Sequence, residues 1–159
     1  MRRGFGLPQV LLIILFIGGI VTVTMRYASL GAKHYADSYT REQAELFMQS
    51  ATEAALFQIS GYSRSGNHCK QDVNVTLPSK DGTVLFYADI TIYKYYLSDG
   101  TGCIEKNLLG EDLNATIQTE ESNGMIDMLV IVRSNNTNPK ILHPVRLQRR
   151  SLQLSLIHI

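Results

Sequence analysis

The residues best suited to covalent chemistry are the two cysteines of the chain, Cys69 and Cys103. Both follow the apolar N-terminal segment, in the part of the chain that we predict to be exported. Because an even number of cysteines in an oxidising compartment favours disulfide formation, we predict a Cys69–Cys103 bond. A metal site that uses the adjacent His68 is the alternative, but a neighbouring His-Cys pair lacks the C-x-x-C spacing of structural zinc sites.

Elsewhere the sequence shows no arrangement of residues typical of an enzyme. It has no G-x-S-x-G, H-E-x-x-H, P-loop or dinucleotide-binding glycine motif. His34, His68 and His143 are scattered, and the adjacent Glu120-Glu121 pair is typical of a solvated turn. We therefore predict that the protein is not an enzyme and has no cofactor and no metal. The net charge of +1 gives no indication of nucleic-acid binding, which usually needs a strongly basic domain.

The element on which the other predictions depend is an apolar segment near the N-terminus. No charged residue occurs between Phe5 and Met25, and a helix of about 20 residues crosses a bilayer core of about 30 Å. Arg2 and Arg3 precede it, so the positive-inside rule predicts a cytoplasmic N-terminus and an exported domain. An ordinary signal anchor or a cleaved secretory signal is the alternative, although signal peptides have shorter apolar cores of about 7–15 residues.

The start of this segment resembles a known type of leader. Residues 1–4 form a short basic leader that ends in Gly4. Phe5 and the apolar run follow it directly. This N-terminus resembles that of type IV pilins and type II secretion pseudopilins. The resemblance implies cleavage by a prepilin peptidase between Gly4 and Phe5, and N-methylation of Phe5. It also implies assembly with other pilin or pseudopilin subunits through the N-terminal helix, on an inner-membrane assembly platform.

One position departs from that family. The family usually has glutamate at the fifth mature position, where its carboxylate meets the N-terminal amine of a neighbouring subunit, and this chain has Gln9. An amide accepts a hydrogen bond from the amine but does not neutralise it, and an unpaired charge in lipid is costly. The departure favours a minor subunit. In the same segment, Gly18 and Gly19 would let neighbouring helices approach closely.

The apolar segment is predicted to continue as one helix to Ile59. Residues 26–59 contain no proline and a single glycine, Gly31. We predict a transmembrane or filament-core half over residues 5–25 and an amphipathic half over 26–60 that packs on a sheet. Two helices with a hinge at Gly31 are the alternative. The apolar positions with helical spacing are Ala44, Phe47, Ala51, Ala54, Ala55 and Ile59.

Residues 61–70 are predicted to form a polar loop, after which the hydrophobic period changes to two. This change predicts an antiparallel β-meander in a globular domain over residues 61–153. Asp81-Gly82 predicts a turn between the first two strands, and Asn123-Gly124 predicts a hairpin between the third and fourth. The nearly continuous apolar run of the fourth strand predicts a central position. The predicted strands are 72–77, 84–96, 115–119, 126–133 and 141–147.

The long strand 84–96 has two different faces. Its even-numbered residues from Val84 to Ile92 are predicted to face the core. Its odd-numbered residues, which include Tyr87, Tyr93 and Tyr95, are predicted to form a partly exposed face that could contact neighbouring molecules.

These observations predict a pilin-like α+β protein with one pass through the bacterial inner membrane, a cytoplasmic N-terminus and a periplasmic domain. We expect a structural subunit, of the minor type, in a type IV pilus or type II secretion pseudopilus. The alternative is a bitopic inner-membrane protein with a small periplasmic binding domain that does not polymerise. Residues 154–159 match the translation of a transposon end used in sequencing libraries, and we interpret them as foreign.

Overall fold

The computed structural model describes residues 6–62, 66, 68–97, 103–115 and 124–154. The chain divides into two compact units, Met1–Tyr39 and Thr40–Ile159. One helix precedes five strands, so the predicted α+β class is confirmed. The elements are α1 (Gly6–Ser60), β1 (Asp72–Pro78), β2 (Val84–Tyr96), β3 (Asn114–Ala115), β4 (Met125–Ser134) and β5 (Arg146–Leu154).

The helix α1 is a single element of 55 residues that continues through Gly31. The prediction of one helix is therefore confirmed, and the alternative of two helices is wrong. At its end, the Gly61 amide donates to the Phe57 carbonyl at 3.1 Å and the Tyr62 amide donates to the Ile59 carbonyl at 3.2 Å. These bonds satisfy carbonyls that have no partner in the last helical turn.

The second unit contains the part of α1 that begins at Thr40. Its buried side chains follow the predicted spacing, because one stripe of a helix turns towards the sheet. The Phe47 ring lies 6.2 Å from the Phe86 ring of β2, centroid to centroid. Ala54 is half-buried, and Met48 is buried although the spacing did not select it. The buried residues of this stripe are Ala44, Phe47, Met48, Ala51, Ala55 and Ile59.

The sheet has the strand order β1-β2-β4-β5, and these three pairings are antiparallel. The four long strands therefore form the predicted meander. The short β3 adds a parallel pairing to the end of β2. The Asp81-Gly82 turn is confirmed, because Gly82 has a φ of 81° and the Ser79 amide donates to the Thr83 carbonyl at 2.7 Å.

The hairpin predicted between residues 115–119 and 126–133 is wrong in its pairing. The strand β4 pairs with β2 along one edge and with β5 along the other, so it has no free edge for a third neighbour. Ala115 pairs instead with Tyr96 of β2. Gly124 has the left-handed φ of 84° that an Asn-Gly turn requires, and residues 116–123 lie outside the described residues. The apolar β4 is central, as predicted, because long strands cover both of its edges.

The last strand begins later than predicted. Residues 141–147 were expected to form it, but β5 spans Arg146–Leu154. The Asn138 amide donates to the Asn135 carbonyl, and the Ile141 amide donates to the Asn138 carbonyl, both at 3.0 Å. These turns hold residues 135–141 away from the ladder, and Pro144 has no amide hydrogen to donate. The Leu154 backbone pairs with Met125, so the sheet includes the first residue interpreted as foreign.

A bulge in β2 changes which tyrosines are exposed. The pairing with β4 shifts between Ile92 and Lys94, so Tyr93 is an extra residue. After the bulge the odd-numbered residues face the core, and Tyr95 is only 4% exposed. Its hydroxyl donates to the Lys70 carbonyl at 2.6 Å. The bounds of β2 are as predicted, but the placement of Tyr95 on the exposed face is wrong.

Candidate functional site

The most unusual surface of the molecule is the apolar part of α1 in the first unit. By length and composition, this helix is apolar and long enough to cross a membrane. Its large apolar side chains from Val10 to Leu30 are all exposed, for example Leu15 at 73% and Phe16 at 76%. Soluble monomers rarely expose contiguous apolar patches larger than a few hundred Å². The surface is therefore suited to lipid or to other apolar helices.

The hydroxyl groups within this apolar surface are satisfied by the helix itself. Thr22 Oγ1 donates to the Gly19 carbonyl at 3.1 Å, and Thr24 Oγ1 donates to the Val21 carbonyl at 2.9 Å. In hydrocarbon, a polar group without a partner costs several kcal/mol. Because both threonines bond to their own helix, they add little to the cost of placing it in a bilayer.

The residues predicted to act in processing and assembly all belong to the N-terminal unit. Gly4 and Phe5 lie outside the described residues. Gln9 is exposed near the start of α1. At Gly18 and Gly19, an added Cβ would meet no atom within 4 Å in the part of the chain that the structure describes. The helix backbone is thus open to close approach at these glycines, and their role in assembly stays a prediction.

The predicted disulfide is present in the second unit. Cys69 follows α1 and Cys103 follows β2, and their Cα atoms are 5.3 Å apart. Both residues are buried. Since the two sulfurs are bonded to each other, neither is available as a thiolate ligand, which removes the alternative of a metal site at His68 and Cys69. Among the described residues no group of three or more metal-binding side chains occurs.

A carboxylate that the sequence analysis did not select holds the chain next to this disulfide. Glu105 Oε1 lies 2.7 Å from His68 Nδ1, and its Oε2 accepts a hydrogen bond of 3.0 Å from the Cys69 amide. Burial raises the pKa of Glu105, but the hydrogen bonds from Cys69 and His68 outweigh burial, so the pKa is lowered overall. Glu105 therefore stays ionised and ties the two disulfide-bonded segments together.

Ion pairs lie on the face of the sheet opposite the helix. The Arg150 guanidinium donates two hydrogen bonds to the Asp127 carboxylate, from Nε at 3.1 Å and from a terminal nitrogen at 2.7 Å. It also lies 4.9 Å above the centre of the Tyr93 ring. The Asp127 carboxylate raises the pKa of Arg150. Arg133 pairs with Asp89 on the same face. The sequence analysis predicted this face from its tyrosines, but the face also carries charged side chains.

A loop on the second unit presents two leucines to solvent. Asn107 is buried, and its Oδ1 accepts hydrogen bonds from the amides of Leu109 and Glu111, at 2.9 and 3.0 Å. The turn that these bonds fix leaves Leu108 and Leu109 more than 70% exposed. This loop is a defined apolar projection of the domain.

Comparison of the chain with protein-family models, with curated proteins and with solved structures gave no match. The structure itself defines the class of protein. A disulfide-bonded α+β domain is joined in one chain to a helix that is long and apolar enough to cross a membrane.

Proposed function

We propose that the protein is a structural subunit, of the minor type, of a type IV pilus or type II secretion pseudopilus. The observation that supports this best is the exposed apolar surface of α1 from Val10 to Leu30. In the sequence, that helix follows the Gly4-Phe5 junction that resembles a prepilin cleavage site. The same helix continues into the second unit, so both units contain part of α1.

The size of the apolar surface favours insertion into a bilayer. The exposed leucine, isoleucine, valine and phenylalanine side chains between Val10 and Val23 number 11. Each of these residue types favours insertion at a helix centre by about 0.3–0.6 kcal/mol, so together they contribute on the order of 5 kcal/mol. In a filament, the same surface would pack against the helices of other subunits.

The other features of the chain agree with an exported subunit. The Cys69–Cys103 disulfide is suited to an oxidising compartment such as the periplasm. The backbone at Gly18 and Gly19 is open to a neighbouring helix. Gln9, in place of the usual glutamate, would weaken the contact with a neighbour's N-terminal amine, which supports the minor type.

The first experiment determines the N-terminal residue of the chain extracted from bacterial membranes, by intact mass and terminal peptide sequencing. We expect a chain that begins at N-methylated Phe5, and we expect Gly4→Ala to abolish this processing. Gly6→Ala is the matched control, because Gly6 lies two residues away and an added Cβ there meets no atom within 4 Å. The control should be processed like the wild type.

Two other termini would contradict the proposal in different ways. An intact Met1 terminus would refute prepilin processing and leave a bitopic membrane protein with a periplasmic domain. A terminus near Lys33 would indicate a cleaved secretory signal. If processing occurs, sedimentation of the sheared filament fraction tests assembly, because a protein that does not polymerise stays with the membranes.

A further inference from the structure

The second unit has an open cleft where β4 ends and β5 begins. Its volume is about 610 Å³, and its wall includes Tyr87, Arg133, Arg146 and the loop residues Asn136 and Thr137. Pockets for small-molecule ligands usually have volumes of roughly 300–1,000 Å³. None of the residues that line this cleft is acidic.

Strand register places three of these side chains in one row. Tyr87 of β2 pairs with Arg133 of β4, and Arg133 pairs with Arg146 of β5. Directly opposed residues on antiparallel strands lie on the same face, with their Cβ atoms about 5 Å apart. Two arginines in that relation destabilise the sheet unless an anion lies between or beside them.

The sheet supplies one carboxylate for these two arginines. Asp89 pairs with Arg133 on the same face. Arg146 is exposed, and within the part of the chain that the structure describes it pairs with no carboxylate. Residues 140–154 contain no aspartate or glutamate, so no acidic residue of that segment can neutralise it. Among the described residues, one positive charge at the wall of the cleft therefore has no carboxylate partner.

The polar side of the cleft is held in place by bonds within the chain. Asn135 Oδ1 accepts hydrogen bonds from the Thr137 amide at 3.2 Å and from the Thr137 hydroxyl at 2.7 Å. Asn135 Nδ2 donates to the Val84 carbonyl at 2.9 Å, which fixes the loop to β2. The Val145 amide donates to Ser134 Oγ at 2.8 Å on the other side. A ligand would thus meet a preformed wall and lose little affinity to ordering it.

We propose that this cleft binds the phosphate group of a small molecule or of a lipid headgroup, between Arg133 and Arg146. The planar guanidinium presents paired donors that match phosphate oxygens, and a bound anion offsets the repulsion between the two arginines. The cleft extends beyond these arginines to the Tyr87 ring and the Asn136 side chain, which would contact the rest of the ligand. This proposal does not depend on the role of the N-terminal helix.

The test uses the full chain in uncharged dodecyl maltoside micelles, with ¹⁵N-labelled arginine, titrated with inorganic phosphate at constant ionic strength and pH 7. We expect a saturable shift of the Arg146 Nε–Hε signal. Arg146→Gln should raise the Kd for phosphate at least tenfold. Arg149→Gln is the matched control, since it removes the same charge from the same strand. Arg149 pairs with the buried Val130 and so lies on the opposite face. The control should change the Kd less than twofold.

Several results would overturn the proposal. The first is the absence of saturable phosphate binding to the wild type. The second is an equal loss of affinity in Arg146→Gln and Arg149→Gln, because this would mean that only the net charge of the protein attracts phosphate. The thermal midpoint of Arg146→Gln is measured without phosphate. If it equals or exceeds that of the wild type, the loss of phosphate affinity is not caused by unfolding. We expect this result because the substitution removes a like-charge contact.

A second arm distinguishes the two sources of phosphate. The phosphate titration is repeated on the chain in nanodiscs of phosphatidylcholine, with and without phosphatidylglycerol. A higher apparent Kd in the discs with phosphatidylglycerol than in discs given the same surface charge by oleate, which has no phosphate, identifies the lipid headgroup as the ligand. An unchanged Kd identifies a soluble phosphate ester.

Discussion

Loss of the Cys69–Cys103 bond should remove a large part of the stability of the globular domain. The bond joins residues 34 positions apart. In the chain-entropy model, closing a loop of this size lowers the entropy of the unfolded chain enough to contribute about 4 kcal/mol. Domains of this kind have free energies of unfolding of roughly 5–15 kcal/mol. The bond is therefore expected to contribute a quarter or more of the free energy of unfolding of the domain.

The assay is urea unfolding of the full chain in uncharged micelles, followed by tyrosine fluorescence. Four of the eight tyrosines lie on β2, so this signal reports in part on the sheet; they are Tyr87, Tyr93, Tyr95 and Tyr96. With a urea dependence of about 2 kcal/mol/M for the free energy of unfolding, reduction should lower the midpoint by about 2 M. The double variant Cys69→Ala/Cys103→Ala should lower it by a similar amount or slightly more, because both side chains are buried.

The reduced wild type is the decisive comparison, since it keeps both sulfur atoms and loses only the bond. If its midpoint equalled that of the oxidised protein, the reasoning from loop entropy would be refuted. If only the double variant were destabilised, the loss would come from packing around the side chains and not from the bond.

Two further predictions concern the core and a surface turn. Phe86→Ala should lower the free energy of unfolding by about 3–5 kcal/mol in the same urea assay, because Phe86 is fully buried and faces Phe47. Hydrogen bonds from Ser79 and Lys140 lower the pKa of Asp81 from 3.8 to about 2. The unfolded state therefore binds more protons in this range. The stabilisation by Asp81 is present above about pH 4 and is lost as the pH falls to 2. Midpoints measured across this range for wild type and Asp81→Asn should converge at the lower end.

Local sequence patterns were sufficient to predict the elements whose hydrophobic residues follow a regular period. The helix was predicted through Gly31 because the apolar run and the amphipathic spacing continue without a proline. The bounds of β2, Val84–Tyr96, were predicted correctly because strict alternation covers most of its length and turn residues flank it. The Cys69–Cys103 bond followed from the count of cysteines and the expected compartment.

The wrong predictions concern the facing of Tyr95 and the pairing of β4, which depend on how all the strands of the sheet pair. Alternation along β2 gives no sign of the bulge at Tyr93, which reverses the facing of Tyr95. The Asn123-Gly124 signal described a local turn correctly at Gly124 but did not determine which strand β4 pairs with. Pairing with β2 and β5 covers the whole of β4, whereas a hairpin with 115–119 would have covered half of it.

The proposed phosphate site depends on the register between β4 and β5. The site could not be predicted from the composition of the chain, because composition says nothing of that register. Arg146 lies opposite Arg133 only because Leu147, the next residue, pairs with the buried Val132 and packs against the core. A slip of one residue in β5 would turn Arg146 towards the core and Leu147 towards solvent. The apolar core therefore fixes the register that holds two like charges side by side. The repulsion between them is a local cost that the core offsets and that a bound anion would relieve.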